Sequence, residues 1–171
     1  MVRVADEGLT VVLRASIMVV AAILLSACAP AGVKNVEVVQ FDRSKTIEKP
    51  FDQVWADTVD WFASLGIPID KIQKDSGLIS STWGGTTTNQ TYISCGDPTG
   101  NIGLYRGRFI DMSIDINILV RPDGQHAKAT INVFGNAVVD VSNAFGSVSR
   151  NRVQCESRGV LERNYFGHLG V

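Results

Sequence analysis

Residues 110–120 read Ile-Asp-Met-Ser-Ile-Asp-Ile-Asn-Ile-Leu-Val, so that apolar and polar side chains alternate. Successive side chains of a strand point to opposite faces of a sheet. This period of two predicts a strand with one face in the core, beginning at Ile110, and the other face in water. The turn sequence Arg-Pro-Asp-Gly follows at 121–124, and apolar residues alternate again from Ala127 to Val133. The two segments therefore predict an antiparallel pair of strands joined by a tight turn.

A helix is predicted over residues 50–65, upstream of that pair. Pro50 suits the first helical position, Asp52 suits the positive end of the helix dipole, and Gly66 supplies a left-handed stop. Apolar residues recur at steps of three and four, which gives the helix one buried stripe. The stripe consists of Phe51, Val54, Trp55, Thr58, Val59, Phe62 and Leu65. Trp61 lies off this stripe, and it is either an aromatic that covers the helix edge or a contact with a partner.

Shorter segments flank the helix. Residues 44–48 predict a strand, and residues 67–69 and 78–83 predict the arms of a hairpin around an Asp-Ser-Gly turn. The stretch 84–103 is rich in Gly, Thr and Asn, and it predicts a long loop with a short strand at 91–95.

The C-terminal part of the chain is less regular. Residues 135–152 fit either an extended strand or the start of a helix, and from Cys155 onward the pattern predicts a helix. Together the elements predict an α+β fold, in which an antiparallel sheet of about four to six strands is covered by an N-terminal and a C-terminal helix.

The N-terminus carries a predicted export signal. An uncharged apolar run at 17–25 follows Arg14, and at about 1.5 Å per residue it spans only half of a ~30 Å hydrocarbon core. Such a short run behind a basic residue predicts a secretory signal rather than a membrane-spanning helix. Leu-Ser-Ala-Cys at 25–28 is similar to the lipobox of bacterial lipoprotein signal peptides. The alternative is a buried helix in which Cys28 is an ordinary core residue.

The lipobox resemblance implies an anchored protein. Residues 1–27 would be removed as a lipoprotein signal peptide, and Cys28 would carry the acyl chains, including palmitate, that hold the protein on the membrane. Ala29 follows the cysteine where many lipoproteins retained at the inner membrane have Asp. We therefore expect residues 28–43 to be a lipidated tether on the periplasmic face of the outer membrane, and residues 44–171 to be a single α+β periplasmic domain.

Cys95 and Cys155 remain once Cys28 is assigned to the anchor. An even pair of cysteines in an exported domain predicts one disulfide, which would close a loop of 60 residues. The alternative is a pair of catalytic or metal-binding thiols, but the chain has no Cys-x-x-Cys spacing to support it.

Composition excludes several functions. The chain has 16 Lys and Arg against 17 Asp and Glu, a net charge of −1 at pH 7. A nucleic-acid protein needs a basic field to neutralise phosphates, which this balance does not supply. Three Cys and two His are too few for a zinc ribbon or an iron–sulfur cluster. We therefore expect no nucleic-acid partner, no metal and no cofactor.

Three groups of polar residues are candidate sites. Asp, Ser, Asp and Asn alternate from Asp111 to Asn117 as in a calcium loop, but Ile116 stands where an EF-hand needs Gly, so a solvated sheet face is predicted. His126 and His168 lie outside any nucleophile motif and predict surface histidines and no enzyme. The arginines form two short basic clusters, which are either contacts for anionic lipid or glycan or scattered solvated charge. They are Arg106, Arg108, Arg150 and Arg152.

Residues 45–55, Lys-Thr-Ile-Glu-Lys-Pro-Phe-Asp-Gln-Val-Trp, continue to Gly66 and then to Ser-Gly-Leu-Ile at 76–79. This spacing resembles the helix-grip domains of the C lipoprotein of the outer-membrane β-barrel assembly machinery, over roughly residues 44–83. That family carries two such domains and lacks a matching disulfide pair. The resemblance implies a helix-grip fold and a lipoprotein setting, but we do not extend it to the assembly role.

The function expected from the sequence is a non-enzymatic, lipid-anchored module that binds an envelope protein or supports the envelope. The alternative is a helix-grip domain that binds a small apolar molecule or lipid between the long helix and the sheet, lined by Trp55, Phe62 and the 110–120 face. Trp55, Trp61 and Phe62 are thus the candidate ligand or partner surface. A third hypothesis, an envelope hydrolase, requires His126 or His168 to meet a carboxylate and a nucleophile in space.

Overall fold

The structure is a computed structural model that describes residues 32–84, 89–99, 104–146 and 148–171. The predicted signal peptide and Cys28 lie outside the described residues. The strands are β1 (Val33–Lys34), β2 (Ser44–Ile47), β3 (Lys71–Gln73), β4 (Leu78–Gly84), β5 (Ile93–Ser94), β6 (Asp97–Pro98), β7 (Tyr105–Asp123), β8 (His126–Asn143) and β9 (Val148–Ser157). The α-helices are α1 (Phe51–Leu65) and α2 (Val160–Leu169), and a 3-10 helix covers Asn89–Thr91.

The pair of strands predicted around the 121–124 turn is confirmed, and it is longer than predicted. β7 and β8 pair antiparallel from Tyr105 opposite Asn143 to Asp123 opposite His126. A bulge between Phe109 and Asp111 shifts the register by one residue. The expectation that Ile110 begins the core face is therefore wrong, because the bulge changes which side chains point inward. Ile110 is 36% exposed.

The main sheet has seven strands, which is more than the four to six expected. Its order is β3-β4-β7-β8-β9-β5, and β2 pairs with the start of β8. β2 lies opposite residues 127–130 and β9 opposite residues 134–142, so the two occupy successive parts of one edge of β8. All of these pairings are antiparallel. The α+β fold with a mostly antiparallel open sheet is thus confirmed.

Helix α1 forms as its apolar stripe predicts. It begins at Phe51, so Pro50 is the residue before the helix rather than its first residue. Gly66 ends it in the left-handed conformation with φ 65°, and the amide of Ile67 donates to the carbonyl of Phe62. The buried side of α1 packs on the inward face of β7 and β8. The core face of β7 consists of Met112, Ile114, Ile116, Ile118 and Val120.

The hairpin before β7 starts later than predicted. Pro68 has no N–H to donate, and pairing begins where the Asp70 amide donates to the Ser80 carbonyl at 3.0 Å. β3 and β4 then pair from Lys71 opposite Ser80. The short strand expected at 91–95 is present as β5, which pairs with the end of β9.

The expectation of a helix from Cys155 is wrong. β9 runs through Cys155 to Ser157, and α2 begins only at Val160 after Gly159, whose φ is 70°. The inward residues of β9 include Val153, Cys155 and Ser157, which give too little apolar alternation for a strand to be recognised. Pairing with β8 determines its conformation instead. Residues 135–143, which fitted either a strand or a helix, likewise belong to β8.

Candidate interaction surface

The three aromatic residues expected to form a surface lie in the interior. Trp55, Trp61 and Phe62 are all buried in the cluster that joins α1, α2 and the sheet. The Trp61 indole N–H donates to Asn164 Oδ1 at 2.7 Å, and its ring meets the Tyr165 ring edge-on at 5.2 Å. Trp61 is therefore a contact between the two helices. None of the three aromatic residues lines the cavities described below.

A hydrogen bond between two buried hydroxyl groups also joins α1 and α2. Thr58 Oγ1 donates to the Val54 carbonyl at 2.7 Å and lies 2.9 Å from the Tyr165 hydroxyl. Because the single Thr58 proton is already donated, Tyr165 is the donor of the second bond. Burial raises the pKa of Tyr165 to about 12, and the negative charge of Asp57 adds to this shift. The hydroxyl therefore stays protonated and keeps its role as a donor.

The predicted disulfide is confirmed. Cys95 and Cys155 are joined and buried, and the bond ties the segment after β5 to β9. Gly135 lies opposite Cys155 across the strands, and a Cβ at Gly135 would approach the Cys155 Cβ to 3.1 Å and would clash with the Ile93 Cδ1. Glycine at this position therefore makes room for the packed bridge. Neither thiol is left for catalysis or metal binding.

The sheet has one covered face and one open face. Both helices pack on the inward face, since their buried residues share one cluster with the inward residues of β7 and β8. We call the opposite side the open face. Apart from the buried Asp140, it presents partly exposed or exposed side chains across β4, β7, β8 and β9. At its centre lie Asp115, Asn117, Asn132, Phe134 and Asn136.

Hydrogen bonds order the middle of the open face. Asp115 accepts from Thr82 Oγ1 at 2.9 Å and from Asn136 Nδ2 at 2.6 Å. A shallow cavity of about 310 Å³ lies beside it. The cavity is lined by Asp111, Ser113, Asp115, Asn136, Ala137, Val138 and Arg152. The described part of the chain contains no group of three or more His, Cys, Asp or Glu arranged to hold a metal ion.

Strand register brings the two arginine clusters together. Arg108 on β7 and Arg150 on β9 both lie opposite Asp140 of β8, with guanidinium nitrogens 3.9 Å and 3.5 Å from Asp140 Oδ2. Arg106 and Arg152 lie in neighbouring rows of the same face. The Asp140 side chain is only 8% exposed, whereas those of Arg108 and Arg150 are 75% and 61% exposed. The four arginines therefore form one patch, which we call the arginine belt.

Four exposed apolar residues lie beyond the arginine belt, at the end of the sheet. Tyr105 lies opposite Asn143, and Val148 lies opposite Ser142, so both are at the β8–β9 turn. We call these four residues the apolar tip. They are Leu104, Tyr105, Phe145 and Val148, with exposures of 60%, 41%, 85% and 56%. The sequence pattern missed the apolar tip, although an aromatic residue between Asn-Ala and Gly in a turn could have indicated it.

Glu162 is a buried carboxylate on α2. It is 1% exposed, and neither of its carboxyl oxygens makes a hydrogen bond within the described residues. Burial raises the pKa of the Glu162 carboxyl, while the Ser157 hydroxyl, the local backbone and the charges of Arg43 and Arg163 oppose the shift. The side chain borders a cavity of about 210 Å³. Its lining residues are Phe41, Asp42, Lys45, Glu162, Arg163, Phe166 and Val171.

Glu162 should make stability fall as pH rises. Between the ordinary pKa of 4.5 and the raised pKa of the folded state, the folded chain binds more protons than the unfolded chain, so the free energy of unfolding decreases with pH. Glu162→Gln removes this decrease, and we expect the variant to be about 1 kcal/mol more stable than the wild type at neutral pH. Urea unfolding across a pH series measures this. An equal pH slope for the two proteins would contradict the prediction, and below pH 4.5 their slopes should agree.

The two histidines are exposed and lie on different elements, His126 at the start of β8 and His168 in the last turn of α2.

Within the described ranges, no helix combines the length and apolar character needed to cross a bilayer.

The chain was compared with known proteins by sequence. No protein-family model matches it, and no curated protein matches it significantly. The class that the structure itself defines is therefore an α+β domain with two helices on one face of an antiparallel sheet, an open polar face, and a basic and apolar end.

Proposed function

We propose that the chain is a lipid-anchored lipoprotein on the periplasmic face of the outer membrane, whose domain is a non-enzymatic protein-interaction or envelope-support module. The observation that carries this proposal is the open face. Across four strands of the sheet most of its side chains are polar, all but the buried Asp140 are at least partly exposed, and no described helix packs on it. Phe134, 37% exposed, lies at its centre. An aromatic residue surrounded by ordered polar groups is the composition of an interface core with a polar rim.

The proposed anchor rests on the N-terminal sequence. The apolar run at 17–25, Arg14 before it and Leu-Ser-Ala-Cys ending at Cys28 occur in the order of a lipoprotein signal peptide. The Cys95–Cys155 disulfide supports export, because such bonds persist in oxidising compartments.

The proposed fold family is the helix-grip arrangement. It is supported by the order of β2, α1 and the β3–β4 hairpin, and by the packing of α1 on the inward face of β7 and β8.

The alternative function, binding of a small apolar molecule or lipid under α1, has less support. The residues expected to line that site, including Trp55 and Phe62, pack against one another and the sheet.

Photo-crosslinking in cells tests the proposed module. A photoreactive residue at Phe134 of the full chain should give one reproducible protein adduct in the envelope, because this position lies at the centre of the open face. The same residue at Ala63, an exposed position on α1, is the matched control and should not give that adduct. Equal adducts from both positions, or none from Phe134, would contradict an interface on the open face.

The anchor is tested separately by Cys28→Ser. We expect the wild-type chain to incorporate palmitate and to sediment with membranes, and the variant to lose the label completely. Palmitate labelling that persists in Cys28→Ser would exclude Cys28 as the acylated residue.

A further inference from the structure

We propose that the apolar tip and the arginine belt together dock on the phosphates of an anionic bilayer, so that the folded domain makes its own contact with the membrane. The inference deepens the proposed function and rests on its membrane setting. It is carried by four observations: the exposure of the apolar tip, the position of the arginine belt behind it, the charge balance of the belt, and the point where the chain leads back to Cys28.

The apolar tip has the composition of a membrane-contacting end. Phe145 is 85% exposed, and Tyr105 has a polar hydroxyl on an apolar ring, which suits the boundary between acyl chains and headgroups. A group of exposed large apolar residues at one end of a domain indicates a contact with a partner or a membrane. Tyr105 and Val148 lie at the ends of the paired strands β7 and β9, and Leu104 and Phe145 lie in the turns beside them.

The half of the arginine belt nearest the tip, Arg106 and Arg150, lies at the depth of the headgroups. Strands rise about 3.3 Å per residue, so Arg106 is one residue and Arg150 two residues from the tip, within about 7 Å along the strand. The headgroup layer on each side of a bilayer is roughly 5–8 Å thick. If the tip touches the edge of the acyl chains, the guanidinium groups of Arg106 and Arg150 therefore reach the phosphates. Arg108 and Arg152, three and four residues from the tip, lie further out and add positive charge at a distance comparable to the Debye length. Guanidinium presents several donors in a plane, which suits phosphate oxygens.

The charge balance of the belt favours an anionic surface. Arg108 and Arg150 share one carboxylate, Asp140, and the side chains of both arginines remain mostly exposed. The pair therefore keeps net positive charge and guanidinium donors toward solvent. The buried Asp140 orients the two arginines on the open face rather than neutralising them.

The start of the folded domain also lies near this end of the sheet. Val33 packs against Val139 and Val141, close to the tip, and the Gly32 amide donates to Thr99 Oγ1 at 2.9 Å. Cys28 precedes Gly32 by four residues, which an extended chain can span over at most about 14 Å. Acyl chains on Cys28 would thus hold the tip close to the bilayer. Stable membrane attachment commonly combines a lipid with a second basic or apolar contact.

Depth-dependent quenching tests the docking. The full chain is reconstituted in vesicles of brominated phosphatidylcholine with phosphatidylglycerol, and tryptophan is introduced by Phe145→Trp. The matched control is Phe134→Trp on β8, the strand that leads into the turn containing Phe145, about 30 Å from the tip. After subtraction of the wild-type signal, we expect quenching at position 145 to be at least about fivefold stronger than at position 134. Equal quenching at the two positions would overturn the proposal and leave the tip to a protein partner.

The basic contribution is tested in the Phe145→Trp protein. Arg106→Gln with Arg152→Gln spares the Asp140 ion pairs and should reduce the quenching severalfold. Arg121→Gln with Lys128→Gln removes the same charge from the opposite end of the open face and should leave it unchanged. An equal loss of quenching in the two double variants would overturn a specific role for the belt. The absence of a loss in both variants would overturn it as well.

These outcomes are separable from those of the proposed function. Mass spectrometry of the reconstituted protein reports acylation of Cys28 independently of quenching. An acylated chain whose position 145 is unquenched overturns the docking and preserves the anchor. A quenched chain without acyl groups supports the docking and overturns the anchor.

Discussion

Replacing both Cys95 and Cys155 with alanine is expected to lower the free energy of unfolding by roughly 4 kcal/mol. The bridge closes a loop of 60 residues, so its removal greatly enlarges the freedom of the unfolded chain. The folded state also loses support. β5 is only Ile93–Ser94 and pairs with two residues of β9, so the bridge adds a covalent tie to a short segment at the sheet edge. Urea unfolding followed by circular dichroism measures the loss.

Reductant provides the matched control for this variant. The wild type in reductant should approach the stability of the double-alanine variant, whereas the variant itself should not respond to reductant. Amide exchange adds a local test, because the amides of Ile93 and Ser94 should lose protection before those at the centre of β7. A double variant within about 1 kcal/mol of the wild type would show that the packing around Gly135 holds this edge without the bridge.

The sequence predicts those parts of the fold whose own residues show a period. Residues 112–120 alternate because one side of β7 is in the core, and α1 shows its stripe because it rests on that side. β9 shows no such pattern, since most of its residues are exposed and its pairing with β8 determines its conformation. The strand conformation of β9 therefore depends on its pairing with β8, and the local sequence of β9 carries no information about that pairing.

The candidate surface was only partly predictable for a related reason. The sequence shows each arginine cluster by itself, but the contact of the two clusters around Asp140 depends on the register of three strands. A register change of one residue would turn these side chains to the other face of the sheet. Asp140 stands among apolar residues at 137–141, which could have indicated a buried charge with a partner. The bulge after Phe109, which resets the inward face of β7, has no comparable mark in the sequence.

Trp61→Ala is expected to lower the free energy of unfolding by about 3–5 kcal/mol. The indole is buried between α1 and α2, against the rings of Phe62 and Tyr165. Its removal leaves a large cavity at the point where the two helices meet, and the fold can close such a cavity only partly. If Trp61 were instead an exposed partner contact, alanine would change stability by no more than about 0.5 kcal/mol. Chemical unfolding of the two proteins therefore distinguishes the two roles of Trp61 considered from the sequence.

Two further variants separate packing from the hydrogen bond at Trp61. Trp61→Phe keeps most of the apolar contact but loses the 2.7 Å bond to Asn164, and it should cost about 1–2 kcal/mol beyond the change in ring size. Asn164 is exposed, and Asn164→Ala removes the same hydrogen bond by deleting its acceptor. It should lower the free energy of unfolding by a similar amount, because it leaves the indole N–H unpaired. Since each change removes the same bond, the double variant should lose less than the sum of the two single losses. Strict additivity would show that the bond contributes nothing and that α1 and α2 are joined by ring packing and the Thr58–Tyr165 pair alone.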